Sequence, residues 1–139
     1  MTVSVCITHE EDLSNTFNNQ WAYVLSNFKP DKVYIKGIDA EDRFLNYKIF
    51  QTIPPIIISD YSEIAEDIVF LSPPTSAIKP GTINLKDFTH PASCCYVFGA
   101  NNGELSSDQP GNVVFIQTDN TDELFNFMVY AIVAWDRSI

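Results

Sequence analysis

Between residues 96 and 105 the sequence reads YVFGANNGEL: an apolar run stops at Gly99, and two asparagines, a second glycine and an acid follow. A residue without a Cβ at such a point either lets backbone approach a ligand or turns the chain tightly. Both readings stand at this level. His9 follows the first apolar run and His90 precedes Pro91. Each is either a base suited to near-neutral pH or an exposed loop residue. The three cysteines, Cys6, Cys94 and Cys95, are odd in number, two are adjacent, and no CxxC occurs. They read as small buried hydrophobes in a reduced, cytoplasmic setting rather than as a disulfide framework. No phosphate-binding glycine loop, nucleophile elbow or pair of histidines at metal spacing is present. Cys94 and Cys95 with His90 do not make a zinc set, so no metal is expected.

The elements that must position these residues alternate. TVSVCIT, KVYIKG, PPIIIS, IVFLS, CCYVFG and NVVFIQT read as six strands. Phe17, Trp21, Val24, Leu25 and Phe28 recur at helical spacing over residues 15–28, and Pro30 ends that helix. AEDRFLNYKIF is a weaker helix. DYSEIAED is a short turn or helix opened by a capping Asp60. PPTSAIKPGTINLKDF, with three prolines and a glycine, reads as loop. NTDELFNFMVYAIVAWDRSI is a last helix with Asn120 or Thr121 as its cap. Strands alternating with helices predict an α/β fold with a mostly parallel sheet and helices on both faces. The last helix is apolar on more than one face, which calls for a second partner or deep burial.

The chain has 139 residues, 45% hydrophobic, with a net charge of −10. That length fits one domain over residues 1–139 and supports a core without metals or disulfides. The acidic balance repels nucleic acid unless basic residues are concentrated locally, and the lysines and arginines form no run. The N-terminus has no basic-then-apolar signal pattern, and no run is long enough to span a membrane.

In order and spacing, nearly the whole chain resembles the SPOUT-class RNA methyltransferases, nearest the small branch that methylates ribose 2′-oxygens in tRNA. Asn15, Thr16 and Asn18 match the family's Asn-Thr-Gly-Asn opening of the first helix. YVFGANNGEL looks like its second motif, and NVVFIQTDNTDELFNFMVYAIVAW its third. The resemblance implies a C-terminal trefoil knot and S-adenosylmethionine held by backbone groups of three loops. It also implies a homodimer through the first and last helices. It makes Leu71, Ser72, Gly99, Ile116, Gln117 and Leu124 the cofactor-binding candidates, and Asn15, Asn18 and Asn126 the catalytic ones.

Departures fall at the chemistry. The arginine that the ribose-methylating branch carries three residues after the second Asn is Trp21 here. The second-motif Glu is Asn101, the opening glycine is Phe17, and the proline after Ile116 is Gln117. Trp21 cannot replace an always-charged donor; it is a core residue or a stacking surface for a base. The resemblance therefore implies either a tRNA-ribose methyltransferase or an inactive SPOUT domain that binds the cofactor, RNA or a protein without transferring a methyl group. The residue pattern alone also admits a flavodoxin-like or receiver-like module, although a receiver needs a lysine after strand five and none follows CCYVFG.

Overall fold

A computed structural model describes residues 1–9, 15–39, 41–72, 81–99, 112–119 and 125–139; the side chains of residues 15 and 16 are not among them. Seven strands form one sheet: β1 (Val3–Thr8), β2 (Lys32–Lys36), β3 (Ile56–Ile58), β4 (Ile68–Ser72), β5 (Thr82–Asn84), β6 (Cys94–Phe98) and β7 (Asn112–Phe115). Their order is β3-β2-β1-β6-β4-β7-β5, and every pairing is parallel. The helices are α1 (Asn15–Asn27), the single turn α2 (Ile49–Thr52) and α3 (Asn126–Ser138).

Period-two side-chain alternation explains the two faces. Val5 and Ile7 of β1, Val33 and Ile35 of β2, Tyr96 and Phe98 of β6 and Val114 of β7 share one core with α1, α2 and α3. The residues between them, Cys6, Tyr34, Cys95, Val97 and Phe70, point the other way into a smaller core closed by Ile58, Ile64 and Tyr61. Each fully buried side chain of this size contributes about 1.5–3 kcal/mol. The larger core on the helix face therefore carries most of the apolar stabilisation. The opposite face is covered by a 3-10 turn, Tyr61–Glu63, opened by the expected Asp60 cap, whose Oδ1 accepts from the Ser62 amide at 2.8 Å.

Three sequence expectations need correction. The segment read as loop after β4 contains β5, a three-residue edge strand paired with β7. It is too short to show a period, and only its neighbour makes it a strand. The weaker helix over residues 40–50 divides into a 3-10 turn, Arg43–Asn46, and the single turn α2. α3 begins at Asn126 after an extended Phe125 that makes no side-chain cap; Asn120 and Thr121 lie outside the described residues. The cysteines behave as expected: all three are buried and unbridged. Burial pushes the Cys6 thiol up to about 12 despite Lys36, which works the other way, so it is no thiolate nucleophile at neutral pH.

Candidate functional site at the carboxyl edge

The chain moves outward from β1 to β2 and β3, then reverses to β4 on the far side. β6 fills the slot between β1 and β4. In open parallel sheets, ligands bind outside the strand carboxyl ends at such a reversal. Gly99 follows β6 at that point.

Register brings the predicted cofactor loops together. Leu71 pairs with Phe98, and Ser72 with Phe115. Ser72, Gly99 and Ile116 therefore stand at the ends of three neighbouring strands, β4, β6 and β7. The Leu71 side chain is buried in the core, so only its backbone faces the edge. Ile116 is partly buried against the same core. The exposed Gln117 accepts from Asn84 Nδ2 at 3.0 Å. Ile116 and Gln117 line a cavity of about 410 Å³ with Asn84, Lys86, Asp119 and Asp136, so it reaches the His90–Asp136 pair, and it is within the size range of small-molecule sites. Leu71, Ser72 and Gly99 are not among the residues lining it. Leu124 lies outside the described residues.

Asn126, in the first turn of α3, donates from Nδ2 to the Gly99 carbonyl at 2.9 Å. This bond fixes α3 against the end of β6. Phe17, in the first turn of α1, packs edge-on against Phe125, with ring centroids 5.0 Å apart, and against Phe127. The first turns of both long helices thus meet above the sheet's carboxyl edge. Asn15 opens α1, and its side chain is outside the described residues. Asn18, one turn on, is 7% exposed, and its Oδ1 has no hydrogen-bond partner. A buried acceptor left this way costs about 1–3 kcal/mol, an expense that a bound donor would remove.

Trp21 is 3% exposed, wedged between Phe98 and Tyr130. It is a core residue and offers no face for a base to stack on.

Neither histidine is the exposed loop residue that the sequence admits. His90 is held between Tyr96 OH, 2.6 Å from Nδ1, and Asp136 Oδ2, 2.7 Å from Nε2. With the Nε2 proton directed at the carboxylate, Nδ1 accepts from Tyr96. Sequence offers little sign of this, because the partners are 6 and 46 residues away. The His9 side chain is 5% exposed, and its Nε2 lies 3.7 Å from Asp42 Oδ2 without a hydrogen bond. Asp42 was not singled out in the sequence. Its position just before the Arg43–Asn46 turn, where its carboxylate caps the Phe44 amide, was the available signal.

The cavity presents polar side chains to a small ligand, and the adjoining strand ends present backbone; Asn18 and His9 are not among the described residues that line that cavity. Among the described residues, no group of His, Cys, Asp or Glu is arranged to hold a metal ion, and no helix is long and apolar enough to cross a membrane.

No family model matches the sequence, and no curated protein matches it. Solved structures do match. An rRNA methyltransferase from Sinorhizobium meliloti aligns with a TM-score of 0.70 at 11% identity, over 98% of this chain and 55% of that one. A structure concerned with the 2-OH methylation of C/U34 on tRNA aligns at 0.68 and 8% identity, over 99% of this chain and 95% of that one. The SpoU methyltransferase AviRb from Streptomyces viridochromogenes aligns at 0.65 and 11% identity, over 98% and 58%. The chain thus spans a little over half the length of the first and third of these. Its parallel sheet, with β6 and β7 inserted between earlier strands, has the fold of the SpoU-type RNA methyltransferases, the SPOUT class that its sequence resembles.

Proposed function

We propose that this chain is an S-adenosylmethionine-dependent RNA methyltransferase that acts on a ribose 2′-hydroxyl of tRNA, as one domain over residues 1–139. The observation that carries the reading is the adjacency of Ser72, Gly99 and Ile116 at three neighbouring strand ends beside the topological reversal. A structure of an AdoMet-bound rRNA methyltransferase from Sinorhizobium meliloti also aligns, with a TM-score of 0.64 at 12% identity. In this reading the backbone of the three loops holds the methyl donor, whose sulfonium supplies the transferable methyl group. Asn126 fixes the Gly99 loop, and Asn15 and Asn18 orient the ribose. A C-terminus threaded as a trefoil knot agrees with late strands set between early ones. Three buried, unbridged cysteines agree with a reducing cytoplasm.

The reading includes a homodimer. Phe125, Met128, Ile132 and Trp135 are exposed at spacings of three, four and three, one stripe along α3, with Trp135 at 57%. Tyr23 on the neighbouring α1 is also exposed. A contiguous apolar stripe of this kind marks an interface. Trp135→Glu should convert a dimer to a monomer in light scattering with the melting temperature changed by only a few degrees; a dimer that persists refutes this interface.

A second reading, a SPOUT domain that binds without transferring a methyl group, is favoured by one observation. Trp21 occupies the position of the family arginine and is built into the core, and the net charge of −10 adds to it. Calorimetric titration with S-adenosylmethionine, followed by transfer of a tritiated methyl group to total RNA, separates the two. Binding with transfer supports the enzyme, binding alone supports the second reading, and no binding removes the first.

A further inference from the structure

We propose that the Phe125 ring is the platform on which an unpaired base of the substrate RNA stacks, braced by Phe17 and Phe127; the proposal rests on the enzyme reading above. Phe125 stands immediately before α3, next to Asn126, whose Nδ2 donates to the Gly99 carbonyl at 2.9 Å. Its backbone is fixed, because its carbonyl accepts from the Met128 amide at 3.0 Å and from the Val129 amide at 3.1 Å. Two other rings hold its side chain. Phe127 stacks with it, centroids 5.6 Å apart and planes inclined by 17°. Phe17 meets it at a steep 75°, with centroids 5.0 Å apart. Even so, Phe125 is 50% exposed. The resemblance places a glycine at residue 17, so one of the bracing rings is a departure particular to this chain.

An unpaired nucleobase is the occupant these observations favour. An aromatic ring fixed in place and half open offers a surface for stacking, and stacking needs no charge on the protein. That matters for a chain with a net charge of −10. Lys32 is paired with Glu66, Lys36 lies over the Tyr61 ring, and Arg137 donates to the carbonyls of Pro91 and Ala92, so these cations are not free to hold phosphates. Position points the same way. Among the described residues the exposed aromatic side chains are Tyr23, Phe125 and Trp135. Trp135 lies in the last turn of α3 and Tyr23 well along α1. Phe125 is the one beside the strand-end loops, so a base stacked on it leaves its own ribose near the Gly99 turn. A base within a duplex has both faces covered by its neighbours, so the platform selects an unpaired nucleotide over a paired one. Phe125 heads the exposed stripe of α3, and Met128, Ile132 and Trp135 carry the subunit interface without it.

The test uses the full chain, an unpaired RNA oligonucleotide of mixed sequence and the same strand in a duplex. Fluorescence anisotropy reads RNA binding and calorimetry reads S-adenosylmethionine, with light scattering and thermal melting on every variant. The parent should bind the unpaired strand at least about tenfold more tightly than the duplex. Phe125→Leu keeps an apolar side chain and removes the aromatic face. It should weaken binding of the unpaired strand about tenfold or more, and leave the oligomeric state and S-adenosylmethionine affinity as in the parent. Phe125→Trp puts an aromatic face back and should bind the unpaired strand within about threefold of the parent. A Phe125→Leu variant that binds RNA like the parent, or a parent that binds the duplex as tightly, overturns the proposal. So does a Phe125→Leu variant that loses RNA by becoming a monomer, which assigns the ring to the subunit interface. A parent that binds S-adenosylmethionine and no RNA overturns the platform while leaving the cofactor site standing. A parent that binds unpaired RNA through Phe125 and no S-adenosylmethionine keeps the platform and removes the enzyme reading.

Discussion

The two edges of this sheet treat polar groups in opposite ways. At the amino edge two networks of polar side chains are closed within the protein. Glu66 accepts from Ser4 at 2.6 Å, Lys32 at 3.1 Å and Tyr34 at 3.2 Å. Arg137 donates to the carbonyls of Pro91 and Ala92 and to Tyr96, and Tyr96 passes the chain on to His90 and Asp136. A second cavity, about 370 Å³, opens beside this network against Tyr96, Tyr130 and Arg137, but Tyr130 already donates to the Phe28 carbonyl. At the carboxyl edge, by contrast, Asn18 Oδ1 and His9 Nε2 are buried without a hydrogen bond, and Asp42 stands 3.7 Å from the His9 nitrogen. Closed networks hold a fold together, and a buried atom left open calls for a water, an ion or a ligand to complete it.

The largest effect expected is from Trp21→Arg, which introduces the arginine of the ribose-methylating branch that the sequence resembles. Because Trp21 fills the space between Phe98 and Tyr130, the change empties a core site and buries a charge. It should cost about 3–5 kcal/mol in denaturant unfolding and add no activity. A stable, more active variant would show that the position faces the site.

Gly99→Val comes next. It should leave the melting temperature within a few degrees and weaken S-adenosylmethionine binding at least about 100-fold, roughly 2.7 kcal/mol. Unchanged affinity in calorimetry would move the site away from the β6 end.

Glu66→Gln probes the other edge and should do the reverse. Burial works to raise the Glu66 carboxyl, but the bonds from Ser4, Lys32 and Tyr34 outweigh it and hold it below its ordinary range. A carboxylate lowered in the folded state stabilises above its unfolded pKa, and that contribution fades as pH falls through the folded value. The parent should therefore lose stability on acidification below the usual carboxylate range, and Glu66→Gln should lose that step. At neutral pH the variant should be about 1–3 kcal/mol less stable, because it weakens the pairing of the buried Ser4 and Tyr34 hydroxyls, and its cofactor affinity should not change. Altered affinity would mean the edges are coupled.

What the sequence made legible follows from where its signals are local. Strands β1, β2, β4 and β6 are runs of apolar and β-branched residues, and the α1 stripe from Phe17 to Phe28 repeats at helical spacing, so element order and a parallel sheet could be read directly. Thr82–Asn84 could not, because three residues carry no period and need β7 beside them. Ser72, Gly99 and Ile116 were singled out through the resemblance, since Gly99 alone reads equally as a turn. The side-chain networks were out of reach: Glu66 meets Ser4 across 62 residues and His90 meets Asp136 across 46. One clue was available, Ser4 standing in an otherwise apolar strand and needing a buried partner.

Hydrogen–deuterium exchange with and without S-adenosylmethionine tests the central claim most directly. The account predicts slowed exchange in the amides that follow β4, β6 and β7, around Ser72, Gly99 and Ile116, and in the first turn of α3, with the amides near Glu66 and Arg137 unchanged. Protection at the amino-edge cavity around Phe28 and Arg137, or no protection anywhere at saturating ligand, would contradict it.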